Sequence, residues 1–140
     1  MIVVVMDAQG GGVGRMLVEQ MKKRLPEQKL IAVGTNSAAT AAMLRAGADQ
    51  GATGENAVRV NAARADLIIA PIGLALCDAM LGEVTGGMAL AVGGSPGHKI
   101  LVPVSRCGVT IAGTPAMTLA EAVSQAVEQA VLFVNNNGIV

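Results

Sequence analysis

Apolar positions along the chain fall into two alternating patterns. Short runs are apolar at nearly every position: Ile2-Val3-Val4-Val5-Met6, Leu30-Ile31-Ala32-Val33, Leu67-Ile68-Ile69-Ala70 and Ile100 to Val104. Such runs read as strands buried on both faces, as parallel sheets require. Between them, apolar residues recur at helical spacing. Val13, Leu17, Met21 and Leu25 form one such stripe, with Lys22, Lys23 and Arg24 at its end and Pro26 as its stop. A second helix runs to Arg45, capped by Asn36 or Ser37, with Gly47 as its C′ residue. A weak third strand is expected near Asp49 to Ala52, then a helix capped by Thr53 or Gly54 and running to Arg64.

Residues 74 to 93 read as helix in two pieces, broken around Gly82 to Gly87. Val109 to Ala112 reads as a sixth strand. Only a few residues separate it from the fifth, too few for a parallel crossover, so it is expected to be antiparallel. The last helix carries the strongest pattern. Thr118 and Glu121 fit a capping box, and Leu119, Val123, Ala126, Val127, Ala130 and Val131 form one apolar stripe. It ends at Asn135-Asn136-Asn137-Gly138.

Alternating strands and helices with right-handed crossovers predict a single-domain α/β chain over residues 1–140. The expected architecture is a Rossmann-like doubly wound sheet, mostly parallel, in the order 3-2-1-4-5-6 with the last strand antiparallel. Ligands bind such sheets beyond the carboxyl ends of the strands, at the switch point between strands one and four. That mouth gathers Asp7 and Gln9 to Arg15, Gly34 to Ser37, Thr53 to Asn56, Pro71 to Gly73, and Ser105 to Cys107.

The mouth contains Asp7-Ala8-Gln9-Gly10-Gly11-Gly12-Val13-Gly14-Arg15, with four glycines in five residues. Glycine admits backbone N–H groups close to an anion, and the following helix adds positive dipole charge. The loop is not a G-x-G-x-x-G fingerprint, because Arg15 stands where the third glycine belongs. Gly11-Gly12-Val13-Gly14-Arg15-Met16 resembles the GGVGKT of ParA-like ATPases. Here Arg15 replaces the phosphate-binding lysine and Met16 the hydroxyl that ligates Mg²⁺. Arginine can clamp phosphate, but a thioether does not serve a hard cation, so Mg²⁺-dependent hydrolysis is not expected.

A standard NAD site also places a carboxylate at the end of the second strand, to hold the ribose diol. This chain reads Val33-Gly34-Thr35-Asn36-Ser37 there, and no arginine lies between that point and Arg45 to suit NADP. The NAD site is therefore incomplete, although a nucleotide or dinucleotide remains in scope. Thr35, Asn36 and Ser37 either hydrogen-bond a ligand or only cap the next helix. Short-chain dehydrogenase chemistry is excluded by the absence of tyrosine.

Other candidates carry weaker signals. His98 is the only histidine and reads as a solvated loop residue on the edge opposite the mouth, which argues against a Ser-His-Asp triad. Cys107 lies at the mouth beside Arg106, where a guanidinium favours thiolate, or else is a small apolar residue in a hairpin. Cys77 reads as core. Glu55 and Asn56 sit at a helix N-terminus, where an acid suits the dipole. Glu83 falls in the helix break as a solvated charge. Asp7, Glu55 and Glu83 are the available carboxylates for acid–base work, and spacing alone pairs none of them.

Composition narrows the classes. Formal net charge is zero and the only aromatic is Phe133, so neither an electrostatic footprint nor a stacking platform for nucleic acid exists. No apolar run reaches the about 18 residues of a membrane span. The two cysteines make no metal or redox motif, and the start lacks the basic and apolar regions of a signal peptide, so a cytoplasmic location is expected. Apolar residues make up 52% and charged ones 14%, which predicts apolar surface covered in a homo-oligomer.

The segments Asp7 to Gly14, Gly34-Thr35-Asn36-Ser37-Ala38-Ala39-Thr40, Gly51-Ala52-Thr53-Gly54-Glu55-Asn56 and Leu81-Gly82-Glu83-Val84-Thr85 together carry a further signal. Through them the chain resembles, over nearly its whole length, a family of short bacterial proteins catalogued only as a domain of unknown function. The resemblance implies a Rossmann-like fold and supplies no activity, cofactor or catalytic residue. From the residues themselves, the expected function is binding of a phosphorylated small molecule or nucleotide at the glycine loop. The alternatives are a non-catalytic oligomeric regulatory or assembly subunit, and a small enzyme acting on the bound ligand through Asp7, Glu55 or Cys107.

Overall fold

The computed structural model describes residues 1–104 and 108–140. Five strands, β1 (Val3–Asp7), β2 (Leu30–Gly34), β3 (Gln50–Thr53), β4 (Leu67–Pro71) and β5 (His98–Val102), form one sheet ordered β3-β2-β1-β4-β5. Every pairing is parallel. The helices are α1 (Gly12–Arg24), α2 (Ser37–Arg45), α3 (Glu55–Arg64), α4 (Gly86–Gly93) and α5 (Leu119–Asn135).

The central strand explains the layers. All five residues of β1 are buried. Val3 and Val5 face a core completed by Leu17, Met21, Met43 and the stripe of α5. Val4 and Met6 face the opposite core, with Val58, Ala62, Met88 and Val92. Helices α1, α2 and α5 therefore cover one face, and α3 and α4 the other. At the start of α5, Thr118 accepts from the Glu121 N–H at 3.2 Å while Glu121 accepts from the Thr118 N–H at 2.8 Å, which completes the expected capping box.

Four expectations are corrected. Val109 to Ala112 forms no sixth strand, so the described sheet ends at β5 and is wholly parallel. Gly108 and Gly113 hold φ of +66° and +82°, and Val109 and Ile111 remain 40% and 38% exposed. The segment thus has no buried face to pair with. Second, β5 begins at His98 rather than Ile100 and ends at Val102. Its His98 is half-buried, not a solvated loop residue, and its ring stacks on Phe133 at 5.0 Å. Third, the segment after β4 is a single 3₁₀ turn, Ile72–Ala75, followed by turns up to α4. Asp78, Met80 and Leu81 all adopt left-handed backbone there, which no helix accommodates. Fourth, Cys77 lies in those turns and is consequently exposed rather than core.

Asp49 links three elements. Its Oδ2 accepts from the Leu30 N–H at 2.8 Å and from Lys22 Nζ at 3.0 Å, tying the end of α1 to the starts of β2 and β3. The backbone bond from Leu30, reinforced by Lys22, holds the Asp49 carboxyl below its usual range.

Two stability measurements follow. A Cβ at Gly14 would meet Met43 Sδ at 2.5 Å and Asp7 Cβ at 2.8 Å, whereas one at Gly12 would meet nothing within 4 Å. In urea unfolding, Gly14→Ala is expected to lose about 1–3 kcal/mol and Gly12→Ala to stay within about 0.5 kcal/mol of wild type. Asp49→Ala is expected to lose about 1–2 kcal/mol at neutral pH. Because the folded-state pKa is depressed, this contribution is present above the ordinary value of 3.8. The gap between wild type and variant should narrow as pH falls through the lower folded-state value.

Candidate functional site

The turn from β1 into α1 is organised by one side chain. Asp7 is the last residue of β1 and only 3% exposed. Its Oδ1 accepts from the Ala8 N–H at 2.8 Å and its Oδ2 from the Gly14 N–H at 2.6 Å. Burial pushes its pKa up. The Gly14 and Ala8 amides pull the other way, and the nearby Glu83 charge adds to the rise. Gly11, with φ +74°, is the N-cap of α1, and it packs on the α2 backbone at Ala39.

Asp7 thus takes one of the free amides of the α1 N-terminus and leaves others. Among the described residues, neither the Gly10 nor the Gly12 N–H has a protein acceptor. Both glycines are exposed, and a Cβ on either would meet open space. They border a cleft of about 750 Å³ at the β1–β4 switch point. Its floor is the loop from Asp7 to Val13 with Arg15, and one side is Pro71 and Ile72. Arg15 is the one cation among the described residues of the lining, and it also pairs with Glu19 at 3.3 Å.

The rest of the wall comes from residues the sequence reading did not select. Met16 and Met80 contribute, as do Pro103 and Val104 and much of the irregular stretch from Val109 to Met117. Only its first part, Val109 to Ala112, is expected from sequence to join the sheet. Its density of Gly and Pro (Gly108, Gly113, Pro115) was the available sign of irregular backbone. The expected mouth residues Ser105, Arg106 and Cys107 lie outside the described residues.

Several other expected residues sit apart from this cleft. Gly14, Gly34 and Gly73 are buried packing positions. Asn36 caps α2, accepting from the Ala39 N–H at 2.9 Å, and Ser37 is the first residue of that helix. Thr53 shares a 2.7 Å hydrogen bond with Thr40. Glu55 accepts from Thr85, the N-cap of α4, and Asn56 accepts from Arg59. These contacts are structural, and they tie α3 to α4 and β3 to α2.

Thr35 and Asn36 instead meet Glu83, which arrives from the turns after β4. Glu83 Oε1 accepts from the Gln9 N–H at 2.6 Å, Thr35 Oγ1 at 2.5 Å and Asn36 Nδ2 at 2.5 Å. Burial raises its pKa, but the bonds from Thr35, Gln9 and Asn36 outweigh that and hold the carboxyl below its usual range. Glu83 is therefore a fixed anion joining three loops, not a solvated charge. Its partner Gln9 lies 74 positions away, which no local pattern signals. Among the described residues no cluster of histidine, cysteine or carboxylate groups suits a metal ion, and no helix is long and apolar enough to cross a membrane.

Comparison with known proteins places this geometry in a wider frame. A similar solved structure is the dodecameric FMN-dependent UbiX-like decarboxylase from Escherichia coli O157:H7. It aligns with a TM-score of 0.50 over 92% of this chain and 94% of that one, at 16% identity. The likeness shows a shared α/β fold. No curated protein matches the chain. Residues 2–135 match the family model described as Domain of unknown function (DUF3842), and the chain belongs to that family.

Proposed function

We propose that the protein binds a phosphorylated small molecule of the nucleotide or flavin mononucleotide class in the switch-point cleft. One observation carries this reading: among the described residues the Gly10 and Gly12 amides lack protein acceptors, and their missing side chains leave open space beside the cleft. Phosphate oxygens are the acceptors that such amides at a helix N-terminus suit. Arg15 adds a guanidinium at the rim. The apolar wall of Met16, Ile72, Val109, Ile111 and Met117 suits a flat ring rather than a second charged group. An FMN-dependent protein of the same fold makes flavin mononucleotide a reasonable probe beside adenine nucleotides.

Exposed apolar side chains away from the cleft support a homo-oligomer. Leu81 is 101% and Leu90 76% exposed, more than an isolated chain of this size usually leaves in water for residues so large. The similar solved structure is a dodecamer. Light scattering should give a mass above one chain, and Leu90→Glu should lower it. A monomer in wild type would remove the oligomer reading.

Calorimetry of the purified protein tests the ligand reading. FMN is compared with riboflavin, and ADP with adenosine. At least one phosphorylated member should bind about tenfold or more tighter than its dephosphorylated partner, or about 1.4 kcal/mol. Gly12→Asp should abolish that binding while unfolding stays close to wild type, since a side chain there meets open space. Equal binding of both members of each pair, no binding at all, or undiminished binding in Gly12→Asp would each overturn the proposal.

A further inference from the structure

The carboxylate that a ribose-binding site needs is absent from the end of β2 in sequence but present there in space. Asp7 of β1 pairs in register with Gly34 of β2, so the loops after the two strands run side by side. The Thr35 N–H donates to the Asp7 carbonyl at 3.0 Å, and Asn36 Nδ2 donates to the Gln9 carbonyl at 2.9 Å. Glu83 crosses the end of β1 from the β4 side and reaches these same residues. All three of its donors converge on Oε1. Among the described residues, Oε2 has no partner.

This asymmetry has a chemical consequence. Three donors on one oxygen fix the carboxylate in place and keep it ionised. The other oxygen is left as an acceptor that needs no rearrangement to be used. A carboxylate does not attract phosphate, so its partner in a ligand is a donor, and sugar hydroxyls are the commonest donors on phosphorylated metabolites. The glycine loop lies between the two features, since Gln9 both lines the cleft and donates to Glu83. Glu83 lies beside this cleft rather than in its lining, so a ligand with phosphate at Gly10 and Gly12 and an apolar group in the cleft would meet it with a hydroxylated group extending past Gln9 toward β2.

We propose that Glu83 is a specificity-determining residue whose Oε2 accepts a hydroxyl of a sugar-like diol in the bound ligand. The proposal rests on the cradle reading above and deepens it, since it names the second chemical group the ligand must carry. Thr35 and Asn36 are then positioning residues that aim the carboxylate, rather than contacts to the ligand.

ADP and 2′,3′-dideoxy-ADP separate the two readings, because the second carries the phosphates without the diol. Wild type should bind ADP about 10- to 100-fold tighter than the dideoxy analogue, the range for a hydrogen bond to a charged group. Glu83→Gln should lose that discrimination while binding dideoxy-ADP at least as well as wild type, since a charge near the phosphates is removed. Weaker binding of both ligands in Glu83→Gln would mark a merely structural role and overturn the proposal. Should this variant fail to fold, the wild-type comparison alone decides. Equal affinity for the two ligands, with both lost in Gly12→Asp, would overturn the role of Glu83 and leave the cradle standing. Binding of neither ligand by wild type would overturn the cradle reading for adenine nucleotides and the role of Glu83 with it.

Discussion

Burying the Asp7 carboxylate at the end of the central strand costs free energy that only well-placed donors can offset. The chain supplies them from its own backbone. Ala8 and Gly14 donate to the two oxygens, so the turn that follows β1 has little freedom left. Gly14 favours glycine because a Cβ there would press on Asp7 and Met43. Gly11 must be glycine because the turn needs a left-handed residue pressed against α2. Gly10 and Gly12 answer to neither demand. Their freedom from packing is what separates a structural glycine from one that leaves room for something else.

Glu83 plays a matching part on the outer side of the same loop. Asp7 fixes the loop from inside the sheet, and Glu83 fixes it from the turns after β4. Between them they hold the ends of β1, β2 and the turns after β4 in one arrangement. The left-handed residues Asp78, Met80 and Leu81 give the chain the path that delivers Glu83, and each costs of order 1 kcal/mol of backbone strain. Local propensity would not choose such a path. The Glu83 bonds and the burial of Val84 are the interactions that hold it.

What the sequence disclosed divides along physical lines. Strands β1, β2 and β4 were legible because they are buried on both faces and so read as unbroken apolar runs. Helix α5 was legible because Thr118, Glu121 and its stripe all obey local rules. The edge strand β3 was faint for the opposite reason, with exposed Gln50, Gly51 and Thr53. Two segments misled. Val109 to Ala112 has strand-like composition, but Gly108 and Gly113 turn the chain on either side, and the apolar side chains wall a cleft instead. Residues 74 to 93 have helix-like apolar spacing, but only the second piece is an α-helix, and Asp78, Met80 and Leu81 in the first are left-handed. The glycine loop was legible as a candidate site, whereas the role of Glu83 was not, because it depends on contacts between residues far apart in the chain.

The charges around the loop also limit how it can bind. Two unpaired amides and the rim guanidinium of Arg15 favour an anion. Two carboxylates, Asp7 and Glu83, oppose it, and the second is close enough to raise the pKa of the first. Arg15 is half-exposed and shared with Glu19, so solvent and that pairing weaken its pull. The net field is therefore small, so short-range hydrogen bonds from the amides, rather than long-range charge, carry the loop's preference for an anion. On the proposed reading, apolar contact along Met16, Ile72, Val109, Ile111 and Met117 would add to what the amides contribute. The amides and the Glu83 oxygen then act as a gauge of orientation. On the proposed reading they would favour molecules that present phosphate, diol and ring in the right order, which is a demand that free phosphate or a bare sugar would not meet.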